Sequence, residues 1–225
     1  MIAQPPVPIR CAGRPTLGRL VVPWITLHAG GRYLFGALDK DRRDRALAER
    51  RCQVCGQSFD ERICLAVRPA DVHAGYTAEP GMHPECLAYS LRACPMLSGD
   101  VTRYRVTPAS SGLPGVAKED HGPRAGRPAD AFEAWWITPR SYCVKTDPEH
   151  PGQLLGIDLD VPVLRKRPIR PAAGPDMDSL LALFRQALGL EDAAFSCPHQ
   201  PDAAPSHATP RRRAIDGHSS SVRQF

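Results

Sequence analysis

Cys52-Gln53-Val54-Cys55-Gly56 and, further along the chain, Met82-His83-Pro84-Glu85-Cys86 are the stretches whose reading decides the fold. In the first, two thiols stand two residues apart and are closed by a glycine, the residue that tolerates the positive φ of a tight knuckle. In the second, Pro84 suits the opening position of a helix, where its missing N–H costs nothing. His83 then falls at the cap and Cys86 in the first turn. Helix N–H groups and the positive end of the dipole face both side chains, which favours a thiolate, the metal-binding form of cysteine. The expected ligand set is Cys52, Cys55, His83 and Cys86 around a structural Zn²⁺ with no open position. Reduced cysteines in an apolar core would account for the residue types but not for two pairs at ligand spacing.

Between the pairs, Ile63, Leu65 and Val67 alternate, and Gly75-Tyr76-Thr77 follows, so Glu61 to Thr77 reads as a β-hairpin. Knuckle, hairpin and ligand-bearing helix is the order of a treble-clef zinc module. Cys64 could replace His83 as a ligand, but it lacks a partner at knuckle spacing. Cys94 lies eight residues beyond Cys86 on the same helix, about 12 Å along its axis and out of reach. Both read as small buried apolar residues. Three thiolates and a neutral imidazole would leave the zinc site with a formal charge of about −1, which Arg50, Arg51 and Arg92 could balance.

The runs Glu49-Arg-Arg-Cys-Gln-Val-Cys-Gly-Gln-Ser-Phe59 and Pro80-Gly-Met-His-Pro-Glu-Cys-Leu-Ala-Tyr-Ser-Leu-Arg-Ala-Cys-Pro-Met-Leu97 resemble a group of uncharacterised small zinc-knuckle proteins of high-GC Gram-positive bacteria and their phages. Val22-Pro-Trp-Ile-Thr-Leu27, the run Arg32 to Gly56 and Ala134-Trp-Trp-Ile-Thr-Pro-Arg-Ser-Tyr-Cys-Val-Lys145 are similar to the same group, so the resemblance covers about residues 20–190. It implies a fold module and no known activity. Its pattern would place a cysteine at His83, a departure that changes the ligand set and not its logic.

The chain has 225 residues, enough for one sizeable core or two small ones, and its 24 prolines and 18 glycines point to a compact part diluted by loops. Prolines in Met1-Ile2-Ala3-Gln4-Pro5-Pro6 argue against a signal peptide, and no apolar run approaches a membrane span. Eight cysteines without an export signal favour a reducing, cytoplasmic setting. The expected class is α+β: a small treble-clef-like zinc module with flanking short strands and helices. Residues 1–18 read as a flexible arm, 19–107 as the zinc module, 108–130 as a linker, 131–195 as a small strand-plus-helix part, and 196–225 as a disordered basic tail.

Leu20 to Leu27 reads as an edge strand because of Pro23, and Arg32 to Phe35 as its partner. Asp39 or Asp41 caps a charged helix to Arg51, with Leu38, Ala46 and Leu47 inward. Interleaved acids make that helix look like a solvated, salt-bridged face. Phe132 to Thr138 is a strand that sends Trp135 and Trp136 to opposite faces. Gln153 to Asp158 and Val161 to Arg165 are further strands, and Asp176 to Gly189 is a helix. Cys197-Pro198-His199 is a lesser metal pair.

These features favour a non-enzymatic, zinc-stabilised binding module of regulatory type. It would contact DNA or RNA phosphates through Arg50, Arg51, Arg165, Lys166 and Arg167, or else a protein partner, and no membrane. The alternative is an HNH-type nuclease with a metal site near the hairpin. For it the chain offers Asp71-Val72-His73, but no well-placed asparagine or second histidine. A zinc hydrolase would need Glu85 as an acid beside an open coordination position.

Overall fold

Pro23 decides how the first strands are laid out. The single strand expected over Leu20 to Leu27 is broken there, because the Pro23 carbonyl accepts the Thr26 N–H (3.0 Å) and turns the chain. Two short hairpins result: β1 (Thr16–Leu17) with β2 (Leu20–Val21), and β3 (Thr26–Ala29) with β4 (Arg32–Leu38). In this computed structural model the described residues are 5–106, 113–117 and 124–173, with Leu181, Phe184 and Arg185 beyond them. The chain divides into two units, Met1–Ser179 and Leu180–Phe225, and the strands, the numbered helices and the residues Cys52, Cys55, His83 and Cys86 all belong to the first. In the second, Leu181, Phe184 and Arg185 are helical. The rest of the helix expected over Asp176 to Gly189, the Cys197-Pro198-His199 pair and the tail lie outside the described residues.

The Asp39 carboxylate accepts the Arg42 N–H and caps α1 (Lys40–Ala48). Ala46 and Leu47 are buried as the pattern requires, and Lys40–Asp44 and Arg45–Glu49 pairs line the outer face. Arg43 departs from that solvated face. It is buried and donates to the carbonyls of Ala78, Leu154 and Leu155, tying α1 to strands far along the chain.

The hairpin expected between the ligand pairs does not form. β5 (Ile63–Val67) runs into α2 (Pro69–Ala74), and β6 (Tyr76–Thr77) pairs with a later strand instead of with β5. The local signals for that helix are strong. Pro69 sits at its first turn, the Asp71 carboxylate accepts the Arg68 N–H (2.9 Å), and Gly75 closes it in left-handed backbone with φ 76°. α3 (Pro84–Ala93) opens on Pro84 as expected and breaks at Cys94, ahead of Pro95 and the short α4 (Pro95–Ser98).

Among the described residues four further strands complete the unit: β7 (Phe132–Ile137), β8 (Val144–Thr146), β9 (Leu154–Asp158) and β10 (Arg165–Arg170). The strand expected over Val161 to Arg165 is displaced, since pairing with β7 starts at Arg165 opposite Trp136 and runs on to Arg170. These strands pair antiparallel, in sheets ordered β10-β7-β5 and β6-β9-β8. The β10-β7-β5 sheet is covered on both sides, and the two-residue alternation sorts its side chains. Cys64, Ala66, Phe132, Ala134 and Trp136 face the cluster holding Cys52, Cys55 and Cys86. Ile63, Leu65, Val67, Trp135 and Ile137 face Leu47, Tyr142 and Ile157. The tryptophans thus point to opposite faces.

The boundary expected at 108–130 does not separate two bodies within this unit, because β5 and β7, from either side of it, share a sheet. The described parts of that stretch are tied down: Ala117 N–H donates to Leu38 and Ala129 N–H to Thr102, and both alanines are buried. Nor do residues 5–18 stand off as an arm. Ile9–Cys11 forms a 3-10 turn, and Cys11 is buried in the core.

Candidate metal centre

Local hydrogen bonds build the knuckle before any ligand chemistry enters. Cys52 N–H donates to Gln57 and Gly56 N–H returns to Cys52, each at 2.8 Å, so the chain doubles back between the two thiols. Gly56 has φ 80°, and a Cβ there would stand 2.7 Å from the Trp24 ring, so glycine is required on two counts. Val54 and Gln57 N–H groups point at the Cys52 and Cys55 sulfurs, at 3.4 and 3.5 Å. The second ligand pair is brought in by backbone pairing. Gln53 N–H donates to Gly81 (3.0 Å), the Gln53 side chain to Pro80 (2.8 Å), and Met82 exchanges two hydrogen bonds with Cys64.

The donor atoms of Cys52, Cys55, His83 and Cys86 all lie within 4.8 Å of one another, and all four residues are buried. Metal–sulfur bonds of about 2.3 Å in a tetrahedron would separate the sulfurs by about 3.8 Å, so the cluster can hold a metal ion with little rearrangement. His83 Nδ1 lies 3.4 Å from the Cys55 sulfur, and its Nε2 lies 3.0 Å from the Ser58 carbonyl. A carbonyl only accepts, so Nε2 carries a proton and Nδ1 is the nitrogen turned to the cluster. Phe59 stands edge-on to the imidazole, 5.3 Å between ring centres.

The electrostatics suit a cation. Burial works to lower the His83 pKa, but the Cys52 and Cys55 sulfurs outweigh it and raise it to about 10. Hydrogen bonds from Cys52 and Cys86 hold the Cys55 thiol far below its usual value despite burial. Cys86 is pushed up, first by its contact with Cys11 and then by Cys52 and Cys55. Close-set thiols that resist charging together are what a divalent ion relieves.

Cys64 stays outside the cluster. It is fully buried on β5, its thiol pushed up to about 12 by burial, and so behaves as an apolar residue. Cys94 ends α3 and also lies outside. Sequence reading misses Cys11, which is buried in the same core as Cys52, Cys55 and Cys86. Arg10 beside it pairs with Glu85 (2.5 Å) and with Asp60. Glu85 is thereby turned to an arginine, away from the role of an acid at the metal.

The basic residues expected to meet phosphates separate into two kinds. Arg51 is structural: it pairs with Glu49 (2.5 Å) and donates to the Gly56 carbonyl (3.1 Å). Arg50, exposed and with positive φ, reaches the Pro139 carbonyl (3.4 Å). Arg165, Lys166 and Arg167 are exposed on β10, an edge strand. Lys166 Nζ sits 3.5 Å over the Trp135 ring centre. Asp71 is buried against Arg68 (2.5 and 3.0 Å), while His73 is exposed, so the acid–histidine pair is not assembled.

The chain matches no family model, no curated protein and no solved structure. Among the described residues, no helix is long and apolar enough to cross a membrane.

Proposed function

We propose that the chain is a non-enzymatic binding module whose fold is held by zinc at Cys52, Cys55, His83 and Cys86, and that it contacts nucleic-acid phosphates through β10. The observation that carries the metal half is the burial of four converging ligands, three of them thiols. That set matches the composition of structural zinc sites and leaves no position for a water or substrate. The metal would join two segments that backbone pairing alone holds at few points, in the manner of a treble-clef module.

Support for the partner comes from Arg165, Lys166 and Arg167, three consecutive cations exposed on one edge strand. No acid of that strand neutralises them, and the formal net charge of the chain is +5. Cations so arranged meet phosphates without reading bases, so binding should be indifferent to sequence and fall steeply with salt. Of the residues the alternatives would need, Asp71 pairs with Arg68 for the nuclease reading and Glu85 with Arg10 for the hydrolase reading, which favours the binding module.

Titration of labelled duplex and single strands at two salt concentrations tests the partner. Binding at low salt, with a shallower salt dependence in the triple variant Arg165→Gln, Lys166→Gln, Arg167→Gln at unchanged zinc content, is expected. No binding at low salt would turn the reading toward a protein partner, and magnesium-dependent nicking of plasmid lost in His73→Ala would restore the nuclease.

A further inference from the structure

We infer that the cleft between α4 and β10 binds a phosphate group, held by the Arg170 guanidinium with the Thr102 hydroxyl as a second donor. None of Cys52, Cys55, His83 and Cys86 lines this cleft. The site shares with the nucleic-acid reading only β10, the strand that carries Arg170.

A buried charge is ordinarily met by an opposite one. Arg68 follows that rule through Asp71, and Arg170 does not. It is 8% exposed. Its Nη1 donates to the carbonyls of Met96 and Val101, each at 2.8 Å, and its Nε to that of Pro171 (3.3 Å). These acceptors satisfy N–H groups and anchor the end of α4, but they bring no full negative charge. Among the described residues no carboxylate pairs with Arg170, and its Nη2 has no acceptor. The backbone sets this side chain apart from the exposed cations before it. β10 bulges between Pro168 and Arg170, so that Arg170 falls opposite Phe132, and a bulge of this kind re-aims a side chain.

The cleft has a volume of about 490 Å³, within the range of small-molecule sites, and Arg170 is the one charged residue that lines it. Thr102, also on its wall, is exposed, and its hydroxyl has no partner among the described residues. The Ser98 hydroxyl is already given to the Asp100 carboxylate (2.8 Å), and Asp100 does not line the cleft. A planar guanidinium matches two oxygens of a phosphate, and a tetrahedral group keeps further oxygens for a hydroxyl donor. Two sources share that chemistry: free inorganic phosphate, and the terminal phosphate of a nucleic-acid strand laid along β10. For the second, Arg167 stands three residues before Arg170, about 10 Å along the strand.

The test follows the backbone amide resonances of the full chain during titration with inorganic phosphate, with chloride at matched ionic strength as the control. Saturable shifts around Thr102 and Arg170 are expected with phosphate and not with chloride. Arg170→Gln should weaken the binding at least about tenfold, and Thr102→Val should weaken it less. The triple variant Arg165→Gln, Lys166→Gln, Arg167→Gln should keep it, so this site and the nucleic-acid reading fail separately. A terminally phosphorylated single strand that binds about tenfold tighter than its unphosphorylated twin assigns the strand end as the source. Equal binding of the two, with inorganic phosphate still shifting Arg170, assigns the free ion. An Arg170→Gln chain that fails to fold leaves the test to the unmodified chain and Thr102→Val. No saturable shift at Arg170, undiminished binding in a folded Arg170→Gln, or loss of phosphate binding in the triple variant overturns the inference.

Discussion

A single hydrogen bond fixes the chemistry of His83. With Nε2 donating to Ser58, Nδ1 is the nitrogen turned to the thiols, and the ring needs no reorientation for a cation to displace the Nδ1 proton. The same tightness makes individual residues around it costly to change. Cys55→Ser should abolish metal binding and unfold the segment from the knuckle to α3, because ligand binding energy is folding energy in such a site; metal analysis with circular dichroism checks both. Gly56→Ala should cost more than about 1 kcal/mol, since alanine is strained at φ 80° and its methyl would meet Trp24. A denaturant midpoint equal to the parent's would contradict that. Asp71→Ala should cost about 3–5 kcal/mol by leaving the Arg68 guanidinium buried without its partner. The four clustered residues are legible in the sequence because two-residue spacing and a proline-started helix are local signals. The burial of Cys11 in the same core is not, because that core is assembled from segments far apart in the chain.

Elements are legible where local chemistry and pairing agree. α1 follows its Asp39 cap and α3 its Pro84, while β7 shows the alternation that sends its tryptophans apart. Sequence reading fails where a strand's partner decides. The alternation of Ile63, Leu65 and Val67 is real, but it carries no information about the partner, which is β7 from far downstream and not a hairpin return. Expecting that return hides the helix signals of Arg68, Pro69, Asp71 and Gly75. β10 likewise begins where β7 offers a partner and not where Val161 to Leu164 look apolar. Asp39→Ala should destabilise the fold by about 1 kcal/mol through the lost cap. Thermal or chemical unfolding reads this directly, and no change would mean the α1 start is held by packing alone.

At the scale of the molecule, the first unit is held together by long-range pairing across the stretch expected to be a linker. β5 lies between the two Cys/His pairs and meets β7 along its whole length, so the Cys52, Cys55 and Cys86 cluster and the later strands share one core. Cleavage at a protease site inserted between Val106 and Leu113 should therefore leave two pieces that co-migrate under native conditions and part in denaturant. Pieces that separate without denaturant would mean that the shared sheet contributes little. Composition misleads here because proline and glycine mark irregular backbone, which a core can anchor as Ala117 and Ala129 are anchored.

A closed zinc site has its own spectroscopic signature. X-ray absorption at the zinc edge of the purified chain, with zinc content per chain, tests it most directly. One zinc with three sulfurs at about 2.3 Å and one nitrogen at about 2.0–2.1 Å is the result expected of Cys52, Cys55, Cys86 and His83. A chain without zinc, or a first shell containing an exchangeable oxygen, would contradict it.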